Sequence, residues 1–94
     1  MGLEFDWDPA KAEANEKKHG VSFEEASTAF GDPLHMVVED PRHSLEEERF
    51  ALFGRSNAGR LLAVMDTDRG ERIRLISARL ATPSERRAYG EGES

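Results

Sequence analysis

The residues of this chain best equipped for chemistry are arginines. Six of them, Arg69, Arg72, Arg74, Arg79, Arg86 and Arg87, lie in one stretch that holds only two acids, Glu71 and Glu85. Every base after residue 54 is arginine and none is lysine. A guanidinium keeps its charge at any physiological pH and grips phosphate or carboxylate through two parallel hydrogen bonds. Such a cluster suits an anionic ligand or an acidic partner, and a network of internal ion pairs would need the same residues. Its densest part, Glu71-Arg72-Ile73-Arg74-Leu75-Ile76-Ser77-Ala78-Arg79, reads as a strand. Burying an unpaired guanidinium is costly, so these arginines must lie at exposed ends and on an open face, or meet something anionic. Arg72 and Arg74 alternate with Ile73 and Leu75 and should share the opposite face.

The elements that position them follow from period and punctuation. Leu3, Phe5 and Trp7 alternate with acids as in a half-buried strand over 3–7. Asp8-Pro9 is an N-cap followed by proline, opening a helix to Lys17 or Lys18 with Ala10 and Ala14 toward the core. Lys17, Lys18 and His19 suit its C-terminal end, and Gly20 is the expected left-handed stop. Ser22 and Glu25 form a capping box for a second, short helix to about Phe30, striped by Phe23, Ala26, Ala29 and Phe30. Strands are expected over 34–39, 47–53, 60–67 and 71–79, with turns at 40–44, 54–59 and 68–70. The run from Leu61 to Met65 is apolar enough for a central strand covered on both faces. Thr82-Pro83-Ser84-Glu85 is a second capping box, for a last helix to about Tyr89 that Gly90 ends. The order β-α-α-β-β-β-β-α predicts an α+β fold, a small antiparallel sheet with helices packed on one face and the other face open. One domain over 1–90 and a frayed tail over 91–94 are expected.

Composition narrows the function. Ninety-four residues fit one domain with one modest core. The net charge is −6, which opposes direct DNA binding by this chain. The charge is uneven: residues 1–54 hold five Lys/Arg and thirteen Asp/Glu, whereas residues 55–94 hold eight Arg and six Asp/Glu. There are no cysteines, the opening residues are acidic where a signal peptide is basic, and no stretch approaches the roughly 20 apolar residues of a membrane span. A cytoplasmic protein is expected. No metal-ligand spacing and no phosphate-cradling glycine loop appears, so no metal or cofactor is expected.

Several longer words resemble one family, the BrnT toxins. They are Phe5-Asp6-Trp7-Asp8-Pro9-Ala10-Lys11, Asn15, Lys18-His19-Gly20-Val21-Ser22-Phe23-Glu24-Glu25-Ala26 and Phe30-Gly31-Asp32-Pro33-Leu34 in the front half. In the back half they are Glu48-Arg49-Phe50, Gly54, Ser56, Ile73-Arg74-Leu75-Ile76-Ser77-Ala78-Arg79, Ala81, Glu85-Arg86 and Tyr89. The resemblance covers about residues 4–90. It implies a RelE-like fold and a ribonuclease toxin of a type II toxin–antitoxin module that stops translation. It implies neutralisation by a BrnA-like antitoxin whose own domain binds DNA, so that this chain meets DNA only indirectly, and a toxin–antitoxin heterotetramer by analogy. The family's proposed RNA-cleaving arginines fall here on Arg69, in Thr67-Asp68-Arg69, and on Arg79. The family usually has His, Tyr or Phe before that threonine, and this chain has Asp66. A carboxylate there would repel a phosphate, unless it orients Arg69 or acts as a base.

RNA cleavage by internal attack needs a base for the 2′-hydroxyl, charge stabilisation at phosphorus and an acid for the leaving 5′-oxygen. Arginines supply the second task and, being permanently protonated, not the others. Glu48, His43, His19 and Tyr89 are the possible proton carriers. His19 also suits a helix end, His43 a solvated loop, Glu48 an ion pair with an arginine, and Tyr89 a packing role. The candidate catalytic set is Arg69, Arg79, Glu48 and Tyr89, in a metal-independent reaction. Arg72, Arg74, Arg86 and Arg87 are the candidates for binding RNA or a partner. In the alternative reading the chain is a noncatalytic module whose arginine face docks an acidic partner.

Overall fold

β1 (Glu4–Asp6) leads through Asp8 into α1 (Pro9–His19). The Asp8 carboxylate accepts the N–H groups of Ala10 and Lys11, and Gly20 stops the helix with φ +71°. The Ser22 hydroxyl accepts the Glu25 N–H and opens α2 (Phe23–Thr28), which tightens into a 3-10 turn over Ala29–Gly31. Strands β2 (Met36–Glu39), β3 (Arg49–Arg55), β4 (Leu61–Arg69) and β5 (Arg72–Leu80) follow, then α3 (Pro83–Tyr89). This computed structural model describes residues 2–39 and 48–90. The turn expected over 40–44, with Arg42 and His43, and the tail over 91–94 lie outside the described residues.

Three boundaries differ from expectation for local reasons. The Leu34 N–H bonds the Asp32 carboxylate, which keeps Leu34 in a turn and delays β2 to Met36. β3 runs on through Gly54 and Arg55, because Ser56 and Arg60 close the hairpin with a backbone bond of 2.8 Å. β4 continues to Arg69, and the turn is the two-residue Gly70-Glu71, with Gly70 at φ +67°. Arg69 is therefore a strand residue.

The sheet order is β1-β5-β4-β3-β2. β2 to β5 form the antiparallel meander, but β1 pairs parallel to β5, with Phe5 opposite Ile73. The five-stranded sheet is mixed and not antiparallel, because α1 and α2 carry the chain across its full width before the meander begins. β4 is the central strand, and Leu61, Leu62, Ala63 and Val64 are fully buried.

Cross-strand register sorts side chains between the two faces. Leu52, Val64 and Ala78 form one row beneath α1 and α2, where Val21, Phe23, Ala26 and Ala29 complete the core. Trp7 packs edge-on against Phe23 at 5.8 Å and Phe5 against Phe30 at 5.0 Å. In α1 the expected inward face is wrong: Ala10 and Ala14 are exposed, whereas Ala12 and Asn15 point in. Asn15 is the reason. Its amide donates to the Ala78 carbonyl at 2.9 Å and accepts the Ala78 N–H at 3.1 Å, doing for the edge of β5 what β1, three residues long, is too short to do. The third helix also departs from expectation. Arg79 and Arg55 lie on the face opposite Ala78 and Gly54, and α3 meets both of them, so it caps one end of the second face.

Candidate anion-binding face

The second face carries the arginines in rows set by register. One row reads Asp6, Arg74, Thr67, Arg49 across β1, β5, β4 and β3, and the next reads Glu4, Arg72, Arg69. Directly opposed residues in a sheet lie within about 5.5 Å at Cβ, where like charges destabilise. Arg69 faces Arg72 in this way, across the hairpin end. The acids of β1 relieve part of the cost: Arg74 bonds Asp6 at 3.3 Å and Arg72 bonds Glu4 at 3.4 Å. Arg49 and Arg69 take part in polar or charged interactions as well. Each guanidinium has five donors, so one carboxylate contact leaves capacity for phosphate oxygens. Thr67 is buried between Arg74 and Arg49, and its hydroxyl donates to the Glu48 carbonyl. That bond ties the entry of β3 to β4 and holds the row level.

Arg79 shares this face but not this place. It pairs with Ala63, six residues along β4 from Arg69, a separation of about 20 Å at strand rise. Its guanidinium meets Glu85 twice, at 2.8 and 3.0 Å, and the bond to Arg79 holds the Glu85 carboxyl down at about 2. Glu85 also accepts the Thr82 N–H, closing the capping box of α3. Arg79 therefore locks α3 to β5, and one phosphate cannot bridge it and Arg69.

The other expected residues separate similarly. Tyr89 donates its hydroxyl to the Asp32 carboxylate, and the Arg55 guanidinium sits 5.9 Å from its ring centre. Burial would raise Asp32, but the bonds from Tyr89 and from the N–H groups of Arg55 and Leu34 hold its carboxyl below the usual range. The bond to Asp32 in turn raises the Tyr89 phenol. Tyr89 thus fastens α3 to the start of the meander. Glu48 has an exposed side chain, and its carbonyl is what Thr67 engages. Arg86 and Arg87 belong to α3, at the far end from the two arginine rows.

Sequence reasoning missed Glu4 and Asp6 as partners of the arginines. The alternation at 3–7 marks an apolar face and says nothing of what its acids meet, because a parallel pairing of β1 with β5 leaves no local signal. It also misplaced Asp66. Asp66 lies in register with Phe50 and Leu75, on the helix-covered face, so it neither repels a phosphate at Arg69 nor orients that residue. Alternation along β4 puts it there, two residues on from Val64, and a bulge in β5 at Ile76 brings Leu75 opposite it: Met65 pairs with Ser77 and Asp66 with Leu75.

Among the described residues, no three His, Asp or Glu side chains converge as ligands for a cation. Among the described residues, no helix is long and apolar enough to cross a membrane.

Comparison with known proteins adds two findings. A family model described as "Ribonuclease toxin, BrnT, of type II toxin-antitoxin system" matches residues 7–85. The crystal structure of the Brucella abortus ribonuclease toxin BrnT superposes with a TM-score of 0.67 at 23% identity, over 86% of this chain and 99% of that one. No curated protein sequence matches the chain.

Proposed function

Since this chain belongs to the BrnT family of ribonuclease toxins of type II toxin–antitoxin systems, we propose that it is a metal-independent endoribonuclease working from the Arg69 end of its arginine face. The observation that carries this reading is the pair of rows that set Arg49, Arg69, Arg72 and Arg74 side by side at a cost in mutual repulsion. A scissile phosphate is the ligand that offsets such a cost. In the reaction the 2′-oxygen attacks phosphorus as it loses its proton, the bond from phosphorus to the 5′-oxygen breaks and that oxygen takes a proton from solvent, leaving a 2′,3′-cyclic phosphate. Arg69, Arg72 and Arg74 stabilise the doubly charged phosphorane, a contribution typically worth two to three orders of magnitude in rate per preorganised donor. Asp6, beside Arg74, is the carboxylate best placed to receive the 2′-proton. Glu48 enters through its carbonyl, and Tyr89 and Arg79 act by positioning α3.

In the cell this activity stops translation in the cytoplasm and is neutralised by a BrnA-like antitoxin, in a complex that binds DNA through the antitoxin. The order of elements supports a RelE-like placement of the fold. The test is cleavage of a labelled RNA oligonucleotide by the purified chain in excess chelator. Arg69→Ala should lower the rate about a hundredfold at unchanged melting temperature. Arg79→Ala should lower the melting temperature first and activity only in proportion. Normal cutting by Arg69→Ala would overturn the site. An inert wild-type protein that still binds the neighbouring gene's product would favour a noncatalytic docking module.

A further inference from the structure

The helix-covered face holds a feature that RNA cleavage does not use. Beside the core, a hollow of about 300 Å³ is lined by Leu3, Phe30, Val37 and Phe50 and by the acids Asp66 and Asp68, among others. Its walls are apolar, with Leu3 59% and Val37 53% exposed at the rim. Asp66 lies at its floor, 5% exposed, and no hydrogen bond or ion pair reaches its carboxyl among the described residues. A buried carboxyl with no partner is costly, and an apolar side chain would fill that floor at no such cost. Asp68, two residues along β4 on the same face, brings a second carboxylate to the same hollow.

Two carboxylates in an apolar socket fit a cation on a hydrocarbon stem. A lysine or arginine has this form, because its methylenes line apolar walls while its head meets the acid. RNA is excluded by the same charges. We propose that this hollow is a docking socket for one basic side chain of the antitoxin, on the face opposite the arginine rows. The proposal rests on the toxin–antitoxin reading for the identity of the partner, and on the hollow for the chemistry. It explains why an acid stands at the floor, where it meets the charge of the partner and not that of the substrate.

Docking should depend on pH, because burial and then the charge of Asp68 push the Asp66 carboxyl up to about 7. Among the described residues, the other charged groups facing it are Asp68 on its own strand, His35 on the segment before β2 and Glu39 in the β2 position across Phe50. Among the described residues, the 3-10 turn, β5 and β1 bring only Phe30, Ile73, Leu75 and Phe5 to this side.

The experiment is calorimetric titration of the full chain with the product of the neighbouring gene, at pH 6 and pH 8, alongside Asp66→Asn. Wild type should bind about five- to tenfold more tightly at pH 8 than at pH 6. Asp66→Asn should weaken binding at least tenfold at pH 8, should flatten the pH dependence, and should cut RNA at the wild-type rate. One Lys or Arg of the partner, replaced by Ala, should lose its effect in the Asp66→Asn background. Equal binding by Asp66→Asn at both pH values overturns the socket and leaves the ribonuclease reading intact. A wild-type chain that binds no neighbouring product overturns the antitoxin reading, and the socket with it.

Discussion

Asp66 poses the sharpest question at the scale of single residues. The fold favours its neutral form, since its carboxyl lies at about 7 against an ordinary 3.8. A raised acid binds protons more tightly in the folded state, so the stability it allows is greatest below about pH 4. That stability declines as pH rises toward 7 and stays lost above it. At face value each unit is worth about 1.4 kcal/mol, and solvent in the hollow reduces the sum to about 2 kcal/mol. Asp66→Asn should therefore melt higher than wild type at pH 8 and at the same temperature at pH 4, as calorimetry would show. A substitution that stabilises the fold yet weakens docking would mark Asp66 as a residue kept for binding at a cost in stability. Glu85 shows the opposite sign, because its bond to Arg79 holds the charged form and the stability it adds is lost as pH falls.

At the scale of elements, two side chains take over the work of backbone. Asn15 replaces a neighbouring strand for Ala78 and also donates to the Val21 carbonyl at 3.0 Å, so α1, the entry to α2 and β5 are fixed by one buried amide. Asn15→Ala would leave buried backbone groups unsatisfied, which costs about 2–4 kcal/mol where hydrogen bonds to two segments are lost. The expected readout is a lower urea midpoint and faster hydrogen exchange at Ala78. Gly54 works by absence: a Cβ there would lie 2.7 Å from the Ala29 carbonyl oxygen, so the close approach of the 3-10 turn to β3 depends on glycine.

The whole molecule separates its charges between two faces, although its net charge is −6. The arginine rows look one way and the Asp66–Asp68 hollow the other. RNA binding should then be local and salt-sensitive despite the acidic total. With three or four phosphates neutralised, the single-strand slope of about −0.7 per phosphate predicts about a 20- to 50-fold loss of affinity between 50 and 200 mM salt. Fluorescence anisotropy with a short RNA would measure it, and a flat profile would remove the arginine rows from binding. Antitoxin affinity should vary less over the same range, because a socketed ion pair is shielded from solvent.

What the sequence determined by itself is what neighbours in the chain decide. Asp8-Pro9, Ser22 with Glu25, Thr82 with Glu85, Gly20 and Gly90 all act within a few residues, so α1, α2 and α3 could be read from their caps. The alternation of Arg72 and Arg74 with Ile73 and Leu75 likewise placed those arginines on one face. The tertiary structure decided whatever depended on residues far apart. The contact of Asn15 with Ala78 spans 63 positions, and the parallel docking of β1 that gives Arg74 its Asp6 spans 68. The bulge at Ile76 lies in β5, where it brings Leu75 and not Ile76 opposite Asp66 and so keeps Arg72 and Arg74 on the arginine face, a change of phase along β5 that a strict two-residue period cannot foresee. Hydrogen bonds within a turn are written into adjacent residues. Which face an acid occupies, and which cation it meets, is fixed only when strands distant in the chain take their register.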